Sequence, residues 1–326
     1  MYVDDFMILS PADEIQAGLI KELQKKWNMS TNVFLSPATP ITFLGMEIER
    51  ESKTGDLLIH QQSFVRQLLT KHGIDRNSKP MTAIVVTTPE ATDKPPTPLQ
   101  LKQLQAYAGE FNWLATRTRS DLAYYTSVIA STACKYAEWT LQLCKKVLRY
   151  ICGTVEVGLR YPSTGTEFSL VSWSDAGFGG VSTKSQTGEL VSWGGAVVTW
   201  RSSRQPTDAL STCEAEVSAA AMGFQIVEGL KCLLEEWEIK FSAPILLIDN
   251  KSALTLFENG GTWRTRYFAI KAARLQQEHQ NGNLILRYCP TLLMAADGLT
   301  KMGSAIILEK FRQCMNASLP TIPKIP

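Results

Sequence analysis

The sequence predicts an α/β (α+β) chain: a short β-containing start, a helical middle, and a mixed five-stranded sheet with flanking helices. Three observations predict it. Residues 99–152 carry apolar side chains at helical spacing throughout. Past about residue 166 the period falls to two, in runs such as "FSLVSWSD" and "GELVSWGGAVVTW". "APILLIDN" is a short continuous apolar run ending in Asp249, as expected of a strand covered on both faces.

Taken in order, "YVDDFMIL" alternates and reads as a hairpin with Asp4 and Asp5 at its tip. "DEIQAGLIKELQKKW" places Ile15, Leu19, Ile20, Leu23 and Trp27 on one helical face. "ITFLGMEIERE" and "GDLLIHQQ" read as two strands joined by "SKTG". "QSFVRQLLTKHG" is a short helix closed by Gly73, and the proline-rich "TTPEATDKPPTP" is a loop. Three helices follow, in "LQLKQLQAYAGEFNWLA", "DLAYYTSVIASTA" and "WTLQLCKKVLRYICG". Residues 166–303 then read β-β-β-α-β-α-α-β-α, with a strand ending at Asp175, a pair of strands turning at Gly194–Gly195 and a long helix over about 211–238. These divisions predict four segments: 1–80, 81–165, 166–303 and a tail at 304–326.

The 326 residues suggest two or three domains. With 44% hydrophobic and 20% charged residues, a packed core is expected and disorder is not. The net charge of +2 does not announce nucleic-acid binding, so any such reading needs motifs. No apolar run approaches the roughly 18 residues of a membrane span, and no signal-peptide pattern opens the chain. No membrane partner is therefore expected, and the cytoplasm or nucleus is the expected location. The seven scattered cysteines contain no CxxC and read as reduced thiols.

The chemistry gathers in acidic residues. Asp175 and Asp249 close strands, Glu214 and Glu216 sit near the start of the long helix, and Asp297 opens the last turn. Strand C-termini and helix N-termini meet on one edge of such a sheet. Carboxylates converging there repel unless they hold cations, and hard oxygen ligands suit Mg²⁺ or Mn²⁺. Each acid also has a local reading: Asp before a helix is commonly an N-cap, and Glu in a first turn favours the helix dipole. At the other end, two adjacent carboxylates in an apolar run call for a cation or a tight turn.

These motifs, in this order, resemble the C-terminal part of the Pol polyprotein of copia-type retrotransposons. The matching stretches are "YVDD", "FLGMEIER", "LRYICGTVEVGLRY", "WSDAGFGG", "KSQTG", "TWRSSRQ", "ALSTCEAE", "DNKSAL", "NGNLILRY" and "AADGLTK". They run from Tyr2 to about Lys301. The resemblance implies a truncated reverse-transcriptase palm remnant (1–80), a helical connection (81–165) and a ribonuclease H-like domain (166–303). Tyr2, Asp4 and Asp5 match the polymerase YxDD turn. The third palm carboxylate lies upstream in the family, so this chain alone is expected not to polymerise DNA.

The resemblance implies a nuclease that uses two Mg²⁺ or Mn²⁺ ions to hydrolyse RNA in RNA–DNA hybrids. Its metal-binding and catalytic carboxylates would be Asp175, Glu216, Asp249 and Asp297. Glu216 is preferred to Glu214 because "EVSA" fits the family helix; Glu214 is left as a neighbour or cap. Lys184, Arg201, Arg204 and Gln205 are candidate nucleic-acid contacts, and other Pol segments are possible partners. Two departures stand out. Ser120 replaces a family Pro in "TRSDLAY", and Trp263 and Tyr267 stand at two family His positions. His60, His72 and His279 read as solvent-facing. Two alternatives stay open: a relic that binds nucleic acid without turnover, and a polymerase subunit that needs an upstream fragment.

Overall fold

The computed structural model describes residues 5–75, 78–85, 87–89, 95–164, 169–179, 184–260 and 266–320. Tyr2 and Asp4 lie outside them, and the expected YVDD hairpin with them; Asp5 is exposed in irregular chain. Helix α1 (Asp13–Lys26) follows, burying only Ile20.

The first sheet is antiparallel in the order β1-β2-β3-β4: Ile41–Phe43, Met46–Arg50, Leu57–His60 and Leu159–Tyr161. The single strand expected in "ITFLGMEIERE" is thus a hairpin. Leu44 and Gly45 have φ of 49° and 77°, both in the left-handed region that a two-residue hairpin turn requires. Period-two alternation persists through so tight a turn, which is why the pattern concealed it. His60 at the end of β3 is 1% exposed, with Nε2 3.2 Å from Glu49. The solvent-facing expectation fails there because β3 turns this ring inward beneath α2 (Gln62–Lys71). His72 also packs, 2.7 Å from Glu110 Oε2, and His279 is half-buried, with Nδ1 3.0 Å from Leu284 O.

The helical middle comprises α3 (Pro98–Ala115), α4 (Ala123–Thr132) and α5 (Ala137–Gly153). Thr97 and Gln100 form a capping box and Pro98 occupies the first turn, so the proline-rich loop ends where the local chemistry starts a helix. Phe111, Leu114, Leu122, Ile129, Leu143, Val147 and Ile151 are fully buried together with Val65 and Leu68 of α2. Beneath them lies a buried ion pair. Arg119 Nε and Nη2 reach both Asp121 oxygens at 2.9 and 2.8 Å, Arg119 Nη1 donates to Thr154 O, and Tyr150 donates its hydroxyl to Asp121. Ser120, between the two ions, is buried at the first position of a 3-10 turn.

The second sheet has the order β7-β6-β5-β8-β9. Strands β5 (Leu170–Gly177), β6 (Gln186–Trp193) and β7 (Ala196–Arg204) are antiparallel neighbours, and β8 (Ile245–Ile248) and β9 (Ile285–Tyr288) add in parallel. Helices α6 (Thr212–Glu236), α7 (Lys251–Asn259) and α8 (Ala269–Gln280) connect β7 to β9. This is the mixed five-stranded sheet with flanking helices that the sequence predicts. Strand β5 runs two residues past Asp175, because Gly177 still pairs with Gln186.

Helix α6 alone among the described residues is long and apolar enough, by length and composition, to cross a membrane. It is a core helix here: Val217, Ala220 and Phe224 pack on β8, α7 and α8, and Val227 and Leu234 pack on β5 and β6. The opposite face of the sheet, with Trp173, Leu190, Val197 and Leu247, is covered by Leu299, Phe311, Cys314 and Met315. The last three belong to α9 (Ala305–Met315), capped by Ser304. The stretch expected as a tail therefore folds into the core, and Leu308 of the same helix joins the helical middle.

Candidate metal centre

Asp175, Glu216 and Asp249 come from three elements that the fold brings to one end of the second sheet. Asp175 lies near the end of the central strand β5. Its neighbour β8 is parallel and ends at Ile248, so Asp249 emerges at the same edge. Glu216 sits near the start of α6, which enters over that edge. One carboxylate oxygen from each lies within 4.8 Å of the others.

The local readings are answered residue by residue. Asn250, not Asp249, caps α7, accepting from the Ala253 amide at 3.0 Å. Glu214 has the helix-starting role: Ser211 Oγ accepts from its amide, and its own carboxylate accepts from the Leu210 amide at 2.9 Å. Glu216 is free of that duty. Only the Ala176 amide draws its carboxylate towards the ionised form by hydrogen bonding, and its Oε2 is buried without a hydrogen-bond partner among the described residues.

Asp297 lies in a 3-10 turn, Ala295–Leu299, that crosses the sheet beside β5 and β6. The close approach depends on glycine. A Cβ at Gly177 would stand 2.6 Å from Thr300 O, and one at Gly188 would stand 2.6 Å from Thr300 Cγ2. Thr300 donates its hydroxyl to Asp175 Oδ2. Asp297 stands outside the 4.8 Å group, and its Oδ1 accepts from Lys301 Nζ at 2.6 Å. The same Nζ is 3.6 Å from Asp175 Oδ2.

Burial dominates the electrostatics. It pushes Asp175 up to about 6, against the pull of Lys301 and Thr300 and with the repulsion of Asp297 and Asp249. It pushes Glu216 up to about 9, helped by the charges of Asp175 and Asp249. Desolvated like charges resist ionisation together, and a cation among them reverses that resistance. The donor set is all hard oxygen, and Glu216 Oε2 has a free lone pair in a dry setting. The residues present therefore fit a divalent ion of the Mg²⁺ or Mn²⁺ type.

The candidate nucleic-acid contacts divide. Arg201 is exposed, donating Nε to Ser203 Oγ at 3.1 Å. Arg204 is half-buried, and its Nε has no partner among the described residues. Lys184 Nζ donates to Pro206 O at 2.6 Å. Gln205 is a correction. It is 4% exposed, and its amide donates to Thr187 Oγ1 and Ala215 O, so it braces β6 against α6 and has no face for a ligand. Of the two residues at family His positions, Trp263 lies outside the described residues and Tyr267 is exposed.

Two charged groups close to the site are not marked by the sequence pattern. Glu189 on β6 is fully buried, accepts from Ser174 Oγ at 2.9 Å, and is held well above the usual carboxylate range by burial. Its only signal was a Glu in mid-strand. Lys301 follows Asp297 by four residues in "AADGLTK", the spacing at which a helical pair meets.

No protein-family model matches the chain. Among curated proteins it is similar to the retrovirus-related Pol polyprotein from transposon TNT 1-94 of Nicotiana tabacum, 27% identical over 96% of this chain and 24% of that protein. It is likewise 27% identical to that of transposon RE1 of Arabidopsis thaliana, over 95% of this chain and 21% of the relative. The transposon Ty1-NL2 Gag-Pol polyprotein of Saccharomyces cerevisiae is 24% identical over 92% of this chain and 18% of its own length. Among solved structures, the N-terminal RNase H domain of Rv2228c from Mycobacterium tuberculosis gives a TM-score of 0.32 at 15% identity, covering 41% of this chain and 91% of that one. LC11-RNase H1 in complex with an RNA/DNA hybrid gives 0.30 at 14%, covering 40% and 94%. Along nearly its whole length, then, the chain is similar to retrovirus-related Pol polyproteins of transposons, and it spans about a fifth to a quarter of their length.

Proposed function

We propose that this chain is a segment of a retrotransposon Pol polyprotein whose C-terminal half hydrolyses the RNA strand of RNA–DNA hybrids with the help of divalent metal ions. The observation that carries the reading is the convergence of Asp175, Glu216 and Asp249 within 4.8 Å. Asp297, linked to Asp175 through Lys301, would be the fourth carboxylate of the set. The order of the Pol motifs and the curated relatives support the same reading.

In this proposal Asp175, Glu216 and Asp249 would hold the metal ions, with Asp297 as a further carboxylate near them. Two such ions, when bound, supply a nucleophile at neutral pH and neutralise charge on the phosphate and leaving oxygen. The chain's own residues do the rest. Thr300 fixes the rotamer of Asp175 through its hydroxyl, and Thr291 donates to Asp249 Oδ2 at 3.0 Å, which sets that carboxylate's orientation. Burial on the β5 side excludes water from the back of the site. Exposed Arg201, on the edge strand β7, would meet backbone phosphates. Selectivity for RNA would come from contacts to 2′-hydroxyls across the minor groove.

The test is cleavage of an RNA–DNA hybrid by the purified chain in Mg²⁺ or Mn²⁺, beside Asp175→Asn and Glu216→Gln. The expected result is RNA-strand cleavage by the parent and a loss of more than about a hundredfold in each variant, exceeding the usual effect of an outer-shell residue. A parent chain that binds hybrid without cutting it points instead to a nucleic-acid-binding relic.

A further inference from the structure

The carboxylate cluster contains its own cation. Lys301 Nζ sits 2.6 Å from Asp297 Oδ1 and 3.6 Å from Asp175 Oδ2, so one ammonium bridges two of the four acids. It approaches the Asp175 oxygen that also takes the Thr300 hydroxyl. Geometry forces the placement. Lys301 follows Asp297 by four residues, and its amide donates to Asp297 O at 3.1 Å, which stacks the two side chains on one face of the turn. The glycines at 177 and 188 then let that turn press against β5, which brings the pair to Asp175. The Lys301 side chain is 42% exposed, whereas Asp175 is 2% exposed. The ammonium can therefore swing out to solvent, while the acid it covers cannot.

We propose that Lys301 is a displaceable internal counter-ion: its ammonium stands in for a divalent ion between Asp175 and Asp297, and metal binding must expel it. This inference rests on reading the four carboxylates as a metal site, and it goes further by assigning a competitor within the chain. Asp297, with its Oδ1 held by Lys301, stands apart from the 4.8 Å group. It also gives the acids a partner in the absence of metal, where four crowded carboxylates alone would repel. The consequence is a set threshold. Metal enters only at a concentration that outcompetes the lysine, and removing the lysine lowers that concentration.

The experiment is calorimetric titration of the intact chain with Mn²⁺ alone, for the parent, Lys301→Met and Lys301→Arg, with thermal melting of each with and without Mn²⁺. Methionine keeps the length and removes the charge. The expected result is roughly tenfold tighter Mn²⁺ binding by Lys301→Met, in the range of outer-shell effects on metal affinity, with near-parent affinity for Lys301→Arg. Lys301→Met should melt below the parent without metal and level with it at saturating Mn²⁺. A lysine that serves only as a surface ion pair would lower both melting points and leave affinity alone. Unchanged or weaker Mn²⁺ binding by Lys301→Met, with a parent that does bind, overturns the inference and leaves the metal site standing. No binding by any of the three overturns the metal site and the inference together. Binding by Lys301→Met but not by the parent supports occlusion in its strongest form.

Discussion

At the scale of single residues, one buried charge in the helical middle carries its partner with it. Arg119 and Asp121 are 1% and 0% exposed and make a two-pronged pair, with Thr154 and Tyr150 satisfying their remaining groups. Burial alone would push Asp121 up; the Arg119 guanidinium and the Tyr150 hydroxyl hold it below the usual aspartate value. A depressed carboxyl stabilises the fold above the unfolded value of 3.8 and loses that contribution as pH falls through the lower folded one. We expect the chain's acid unfolding below about pH 3.8 to be flattened in Asp121→Asn. That variant should also lose about 3–5 kcal/mol at neutral pH, because Arg119 is left buried and uncompensated. Urea melts of both proteins across pH 2.5–7 check the sign and the size. The pair stands in "TRSDLAY", which was legible as a motif. Its role was not, because i and i+2 residues meet only in a turn whose shape the sequence pattern does not encode.

At the scale of elements, the site is made by edges. The 3-10 turn around Asp297 reaches Asp175 because two strands carry glycine where it crosses: Gly177 on β5 and Gly188 on β6. The variant Gly188→Ala should therefore drive Thr300 and Leu299 outward and cost about 1–3 kcal/mol of stability by overpacking. It should also weaken Mn²⁺ binding, as Asp297 and Thr300 move off Asp175, and a titration beside a melt measures both. The strand and helix order of this half was readable from period and length, since five strands and the long α6 all recur where the pattern put them. The hairpin at Leu44–Gly45 was not. Its two left-handed residues interrupt a pattern that continues on either side, and leucine is a poor marker for that conformation. Glu189 was illegible for a related reason: a buried acid in a strand looks the same in sequence as an exposed one.

At the scale of the whole molecule, helix α9 joins the two halves. Leu308 lies in the core of the helical middle, Phe311 and Cys314 lie under the second sheet, and Arg312 donates to the Tyr150 hydroxyl at 3.0 Å. A stretch expected to be a tail is instead shared core. Its amphipathic pattern was available, but many of its partners, from Leu122 and Ile129 to Trp173 and Leu190, lie more than a hundred residues away, where no local period points. The acids were the reverse case. Places at strand ends and a helix start marked Asp175, Asp249 and the Glu214/Glu216 pair, and the resemblance preferred Glu216; the fold brings Asp175, Glu216 and Asp249 to one edge and leaves Asp297 outside the group. Whether that edge takes a divalent ion decides the function. The direct measurement is anomalous diffraction from crystals of the intact chain soaked in Mn²⁺. A peak among Asp175, Glu216 and Asp249, with Lys301 swung away from Asp297, is the predicted result. Well-ordered crystals with no peak there at millimolar Mn²⁺, and Lys301 still seated between the two aspartates, would contradict it.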